Sequence, residues 1–421
     1  MSLLIKNATM LNKVEMDIYV EDNLISEIGK NLKKKADETI DAKGKIAMPG
    51  FMNAHTHVPM TLFRGYGEGL PLDRWLNDKI WPAEAKLKPN DVYWGSVLGM
   101  CEMIRSGITT FNEMYITGMD EICKACGNVG MRGAIARGTL DGLPHKKFED
   151  EYREATGFTK KWKNKSELIT PIMSAHSIYA TSEEMLVKLK EFATKEGLKY
   201  HIHLSETRTE IFDCLNKHKK YPFEYLDVLG ILDQDTIIAH GSWATTKEIK
   251  LAGKRKANIA TCPISNLKLA SGGICPTSEY CEHGANVCIG TDGAASNNSL
   301  NMFESVKLAS LLQKHRYWKA NTLSVDTVFD FATKNGAKAL GINAGELKPG
   351  KLADIVLLDA GMANMRPMEN IKANIIYSTN PGNVNDVIIN GKPVMKDKKI
   401  VTVDEKEAIA KVEKSFEGLK I

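Results

Sequence analysis

No stretch of the 421 residues comes near the roughly 18 consecutive apolar residues of a membrane span. The opening MSLLIKNATMLNKVEMDI carries charges early and has no apolar core followed by small residues, so it does not read as a signal peptide. Cysteine is sparse. Eight in a chain this long do not make a disulfide framework, and a reducing, cytoplasmic setting is expected. An excess of one charge is missing too: 56 basic against 52 acidic residues leave +4, too small and too evenly spread to point to nucleic acid. There are no short-period repeats, no low-complexity segments and no Gly-x-Gly-x-x-Gly phosphate loop after a strand. What remains is an ordinary globular balance, 43% hydrophobic and 26% charged, which excludes a mostly disordered chain.

The two ends share a β-rich texture. Ile18-Tyr19-Val20 and Leu24-Ile25 flank a hairpin-like turn at Glu21-Asp22-Asn23, and Val387-Ile388-Ile389 and Pro393-Val394-Met395 flank Asn390-Gly391, a tight-hairpin signal. Residues 1–50 and 345–421 are therefore expected to form one small β-sandwich domain from both termini. Between them, over 51–344, short apolar runs alternate with helix-length amphipathic segments. Candidate strands are 51–55, 107–112, 131–138, 168–175, 199–203, 235–239, 257–261 and 285–289, with helical patterns at 91–106, 182–196 and 244–254. Eight strands alternating with helices predict an α/β fold of the (β/α)8 TIM-barrel type, with an open doubly wound sheet as the alternative.

Polar residues punctuate the ends of these runs. His55 and His57, two apart on a strand, point to the same side and make a natural pair of metal ligands. In Tyr200-His201-Ile202-His203, His203 lies nearest the strand's C-terminal end, where barrel active sites sit, and His201 is a layer lower, with a packing or hydrogen-bonding role. Glu206 follows three residues on. It is either a carboxyl group able to carry protons or a helix-start residue. His240 ends the run Thr236–Ala239, and Asp292 follows Ile289-Gly290-Thr291, where a turn or helix cap is the plain alternative. Independent accidents would not bring His55, His57, His203, His240 and Asp292 to one rim. Neutral imidazoles with a carboxylate suit zinc or iron(II). Cys123-Lys124-Ala125-Cys126 reads as structural, and Lys33-Lys34-Lys35 as a solvated turn.

Those residues carry a resemblance. Pro49-Gly50-Phe51-Met52-Asn53-Ala54-His55-Thr56-His57, His203, His240 and Gly290-Thr291-Asp292-Gly293 resemble the amidohydrolase superfamily, and Gly345–Asp354 resembles its return into the small β domain. Within it, Trp81-Pro82-Ala83-Glu84, His203-Leu204-Ser205-Glu206-Thr207, Ser265-Asn266-Leu267-Lys268-Leu269-Ala270 and Thr291–Asn301 are similar to the 5-methylthioadenosine/S-adenosylhomocysteine deaminases and the related 5′-deoxyadenosine deaminases.

The resemblance implies a zinc-dependent hydrolytic deamination, with iron as the alternative metal and no organic cofactor. The substrates are small adenosine-type nucleosides (S-adenosylhomocysteine, 5′-methylthioadenosine, 5′-deoxyadenosine, adenosine), and the products are the inosine analogue and ammonia. By the same resemblance His55, His57, His203 and Asp292 hold one divalent metal ion. The matching strand end Ser174-Ala175-His176 offers no bridging lysine for a second. Glu206 is the proton-transferring acid, Asp292 a proton acceptor as well as a ligand, and His240 the residue at the attacking water. Glu84 matches the carboxylate on the ribose hydroxyls, His176 a further substrate contact, and Arg137 an arginine at the amino-acid end of S-adenosylhomocysteine, its plain alternative being a rim salt bridge. Where many relatives place a second arginine, this chain reads His145-Lys146-Lys147-Phe148-Glu149-Asp150. Lys147 is a point charge without the bidentate fork, which favours neutral 5′ groups. Two other activities stay open: another reaction of this scaffold on an aromatic amine or chloride, of guanine deaminase or triazine hydrolase type, and a non-catalytic nucleoside-binding metalloprotein. Neither a membrane nor a nucleic acid is expected as partner, and a homo-oligomer is allowed.

Overall fold

Every apolar run picked out between residues 51 and 289 forms a strand in the computed structural model, which describes residues 1–143 and 146–420. The barrel strands are β1 (Phe51–Thr56), β2 (Ile108–Tyr115), β3 (Arg132–Thr139), β4 (Met173–Ser177), β5 (Tyr200–Leu204), β6 (Thr236–His240), β7 (Asn258–Thr261) and β8 (Asn286–Ile289). All neighbours pair in parallel and in chain order. The fourth run is broken at Ile172: a short strand Ile169–Pro171 pairs with β3 before β4 begins. The strands are buried on both faces because helices such as Pro89–Arg105, Glu183–Glu196 and Thr246–Lys254 cover the outside, which is why they read as continuous apolar runs rather than alternating ones. β2 continues three residues beyond its expected end at 112, and those residues reach the rim.

β8 and β1 share no ladder among the described residues. Their seam is closed largely by side chains. Asn53 Nδ2 donates to Thr291 Oγ1 at 2.7 Å, and the Thr291 N–H donates back to Asn53 Oδ1 at 2.9 Å. Thr56 Oγ1 donates to the Asp292 carbonyl at 2.9 Å, and the Asp292 N–H to the His55 carbonyl at 3.0 Å.

The two termini build one nine-stranded sheet. Its halves meet where Lys45–Pro49 pairs antiparallel with Ile355–Asp359. Leu3, Ile5, Ile18, Val20 and Ile25 from one end share a core with Ile355, Leu357 and Ile388 from the other. Asn390 and Gly391 both take positive φ, 53° and 76°, as a tight two-residue hairpin turn demands. The tail is not all β. Its last helix, Glu405–Leu419, runs back to the barrel helix Pro89–Arg105, where Arg105 Nε donates to Glu405 Oε1 at 2.7 Å and Ser415 Oγ to Asp91 Oδ1 at 2.6 Å.

Candidate active site

The C-terminal ends of the barrel strands carry the polar residues inward. Three residues at these ends, Ser205, His240 and Asp292, are non-glycine residues in the left-handed region, with φ of 54°, 73° and 61°. Each such conformation costs of order 1–3 kcal/mol and persists only where the surroundings over-determine it. Here each one turns a strand end sharply where the chain enters the mouth of the barrel.

Four expected ligands converge. His57 Nε2 lies 3.3 Å from Asp292 Oδ1 and 3.3 Å from His203 Nε2, and His55 Nε2 lies 3.5 Å from Asp292 Oδ1. The other ring nitrogens of two of these histidines are committed. His57 Nδ1 is 2.5 Å from the Met114 carbonyl and His203 Nδ1 is 2.8 Å from the His176 carbonyl, so both carry their proton on Nδ1 and turn the Nε2 lone pair inward. His55 Nε2 is buried and without a hydrogen-bond partner. Burial, helped by the neighbouring His55, lowers the His57 pKa to about 4, and burial holds His203 well below the usual imidazole range, so both rings are neutral near pH 7. Burial pushes Asp292 up, but the His55 contact and the surrounding imidazoles outweigh it and keep this carboxylate ionised. Ser265 Oγ and the Gly293 N–H donate to its two oxygens at 2.6 and 2.8 Å. Inward-facing imidazole lone pairs and one carboxylate, with an orphaned buried nitrogen among them, fit a single divalent cation of the zinc type.

Beside this cluster stand Glu206 and His240. Glu206 Oε2 is 3.5 Å from His240 Nε2. Burial, then the charges of Asp292 and Glu210, hold Glu206 well above the usual carboxylate range, which favours its protonated form. Burial lowers His240 to about 3, and Asn266 faces its Nδ1 at 3.1 Å.

The same cavity is lined by Glu84, His176, Trp81 and Tyr179. Glu84 is not an exposed loop carboxylate. It ends the short helix Trp81–Glu84, is 4% exposed, and its Oε1 has no partner. Burial raises its pKa to about 7, against a smaller lowering by Tyr115. Burial also takes His176 down to about 3. His201 lies below the His55–His57–His203–Asp292 cluster, with Nε2 3.2 Å from His55 Nδ1. Outside, the cavity continues into a groove of 510 Å3 lined in part by Leu72, Leu143, Tyr179, Arg208 and Leu269.

Arg137 and Lys147 are not brought into the cavity lining. Arg137 Nη2 meets Glu151 Oε1 at 2.9 Å and Glu154 Oε2 at 2.7 Å, and its Nη1 donates to the Ile116 carbonyl. Lys147 is exposed at the start of the helix Phe148–Trp162, Lys146 Nζ lies 3.1 Å from Glu151 Oε1, and His145 falls outside the described residues. Glu113, Tyr115 and Asn266 went unread as individual residues. The first two lie two apart at the end of β2, the same signal that marks His55 and His57.

The family model described as the amidohydrolase family matches residues 46–394. A 5′-deoxyadenosine deaminase of Methanosphaera stadtmanae is 45% identical over 97% of this chain and 96% of its own length. One from Methanocaldococcus jannaschii is 43% identical over 99% of this chain and 100% of its own length. A 5-methylthioadenosine/S-adenosylhomocysteine deaminase of Thermococcus sibiricus is 43% identical over 94% of each chain. Among solved structures, an adenosine deaminase from Xanthomonas campestris with bound zinc superposes with a TM-score of 0.94 at 30% identity, covering 99% of this chain and 98% of that one.

Proposed function

The chain belongs to the amidohydrolase family, and from that premise we propose that it is a metal-dependent hydrolytic deaminase of adenosine-type nucleosides, releasing ammonia and the inosine analogue. One observation carries the reading: the His57–His203–Asp292 cluster, with the buried His55 Nε2 3.5 Å from Asp292, shares one cavity with the acid Glu206 and a buried Glu84 with an unpartnered oxygen. The first can bind an ion, the second protonate a purine ring nitrogen, the third receive hydroxyl groups.

A divalent ion held by His55, His57, His203 and Asp292 would supply an activated water, its pKa lowered from near 16 towards about 7. Zinc is favoured over iron, in line with the zinc bound by the Xanthomonas protein. Glu206 delivers its proton to the ring nitrogen beside C6, which makes C6 electrophilic. Asp292, ionised, takes a proton from the attacking water. His240, neutral and 3.5 Å from Glu206, stabilises the oxygen charge that develops at C6. Protons returned through Asp292 and Glu206 leave the amino group as ammonia. Glu84 accepts hydrogen bonds from the ribose hydroxyls, His176 adds a substrate contact, and the outer groove receives the 5′ substituent.

The test is purified protein with zinc on a panel of adenine, adenosine, 5′-deoxyadenosine, 5′-methylthioadenosine, S-adenosylhomocysteine, guanine and a chlorotriazine, with metal analysis of the active protein. Ammonia from the nucleosides at one metal per chain is expected. Two essential ions per chain, or turnover of guanine or the triazine in preference to the nucleosides, would overturn the reading.

A further inference from the structure

Glu210 is a buried carboxyl, 4% exposed, in the first turn of the helix Arg208–His218, and the reaction above makes no use of it. Thr207 caps this helix by accepting the Glu210 N–H on its hydroxyl at 3.3 Å. In an ordinary capping box the acid three residues on returns the bond by accepting the N–H of the cap residue itself. Glu210 reaches further back. Its Oε1 accepts the Ser205 N–H at 2.9 Å and its Oε2 the Glu206 N–H at 2.8 Å.

These two N–H groups belong to the turn that is conformationally costly. Ser205 has φ 54°, which a Cβ disfavours by about 1–2 kcal/mol. From the other side the Trp243 N–H donates to the Ser205 carbonyl at 2.9 Å, so the peptide on each side of Ser205 is gripped. The next residue is Glu206, which enters the cavity and comes within 3.5 Å of His240. Glu210 itself lines the outer groove rather than the cavity, and so is placed to act on the backbone that carries Glu206 and not on the reacting end of a nucleoside.

We propose that Glu210 is the positioning residue for Glu206: its two carboxylate oxygens, on the N–H groups of Ser205 and Glu206, hold the left-handed turn that aims the Glu206 carboxyl at the ring nitrogen. This rests on the reading of Glu206 as the proton carrier.

The experiment is a double-mutant cycle on the zinc-loaded enzyme with 5′-deoxyadenosine. Glu206→Gln, Glu210→Gln and the double variant are compared for kcat, KM, zinc content and thermal melting. An amide at 210 can accept one N–H but turns its own N–H groups towards the other. Glu210→Gln is expected to keep zinc and a KM within about threefold while kcat falls roughly 10- to 100-fold, as for a misplaced catalytic group. In the Glu206→Gln background the same change is expected to cost less than about threefold, because residues acting through one another do not add. A double variant whose loss is the product of the single losses overturns the proposal, and so does unchanged kcat in Glu210→Gln. If Glu206→Gln itself keeps full turnover with full zinc, it is the reading of Glu206 that falls. Should Glu210→Gln not fold, Glu210→Asp, which keeps the charge on a shorter arm, carries the same cycle. Failure of both to fold would assign Glu210 to stability alone and overturn the proposal.

Discussion

His201 lies beneath His55 with its Nε2 3.2 Å from His55 Nδ1, and neither imidazole is exposed. The other nitrogen of His201, Nδ1, is held by the Asn112 side-chain N–H at 2.9 Å, so His201 is fixed from beneath and in turn orients the His55 ring through its Nδ1, leaving Nε2 turned to the cluster. Losing such a partner typically costs 10–100-fold in metal affinity. His201→Phe is therefore expected to fold, to bind zinc about 10- to 100-fold more weakly, and to regain activity at raised zinc. Competition against a chelator measures it, and undiminished affinity would leave His201 a packing residue.

Glu206→Gln and His57→Ala separate proton transfer from metal binding. The first is expected to retain zinc and lose about 10²–10⁴-fold in kcat, the usual contribution of a general acid–base group. The second removes a ligand and is expected to lose the metal. Metal analysis beside steady-state kinetics distinguishes them; near-normal turnover of Glu206→Gln with full metal would exclude it as the acid.

The pH profile reports on Glu84. Burial places its pKa at about 7, so it is neutral below that pH and a charged acceptor above it. Hydrogen bonds to a charged acceptor are worth about 1.5–3 kcal/mol. Catalytic efficiency is expected to rise with pH through about 7. Glu84→Gln should lose this acid limb together with roughly 10- to 100-fold in kcat/KM on nucleosides. Free adenine should be a poor substrate for the wild type. A profile whose limb survives the substitution belongs to another group.

Arg137, expected at the 5′ end, is instead held by Glu151 and Glu154. Breaking a buried pair costs about 3–5 kcal/mol, chiefly by stranding the remaining charge. Arg137→Ala should therefore lower the melting temperature without selectively impairing S-adenosylhomocysteine. That substrate should exceed 5′-methylthioadenosine or 5′-deoxyadenosine by less than about tenfold, since Arg137 is already paired and lies outside the cavity lining, and a pair with the exposed Arg208 of the outer groove would add only about 0–1 kcal/mol. A hundredfold preference abolished in Arg137→Ala would refute this.

The barrel was legible because its buried strands are short apolar runs, several of them ending in a polar residue that faces the cavity, as Ile237-Ile238-Ala239 runs into His240. The same logic placed His203 at the rim and His201 below it. What escaped depends on partners remote in sequence or on exact strand length. The acids that engage Arg137 come from the helix after β3, 14 and 17 residues along the chain, and no local pattern announces that a helix will swing them back. β2 was read three residues short, so Glu113 and Tyr115 were not read as strand-end residues. Thr207-Arg208-Thr209-Glu210 spells a capping box in sequence, yet its acid reaches past the cap, which only the strained turn at Ser205 explains.

The seam between the first and last staves of the barrel gives metal loading a second meaning. Asn53 and Thr291 clasp across 238 positions of sequence, and the ligands straddle the same join, His55 and His57 on one side and Asp292 on the other. A chain still emerging from the ribosome, or one whose last strand has not docked, cannot assemble the set. Because a ligand that binds only the closed form draws the equilibrium towards it, an ion held by the proposed ligands would serve as a latch on completed closure. Metal occupancy would then report that the eighth strand has docked against the first.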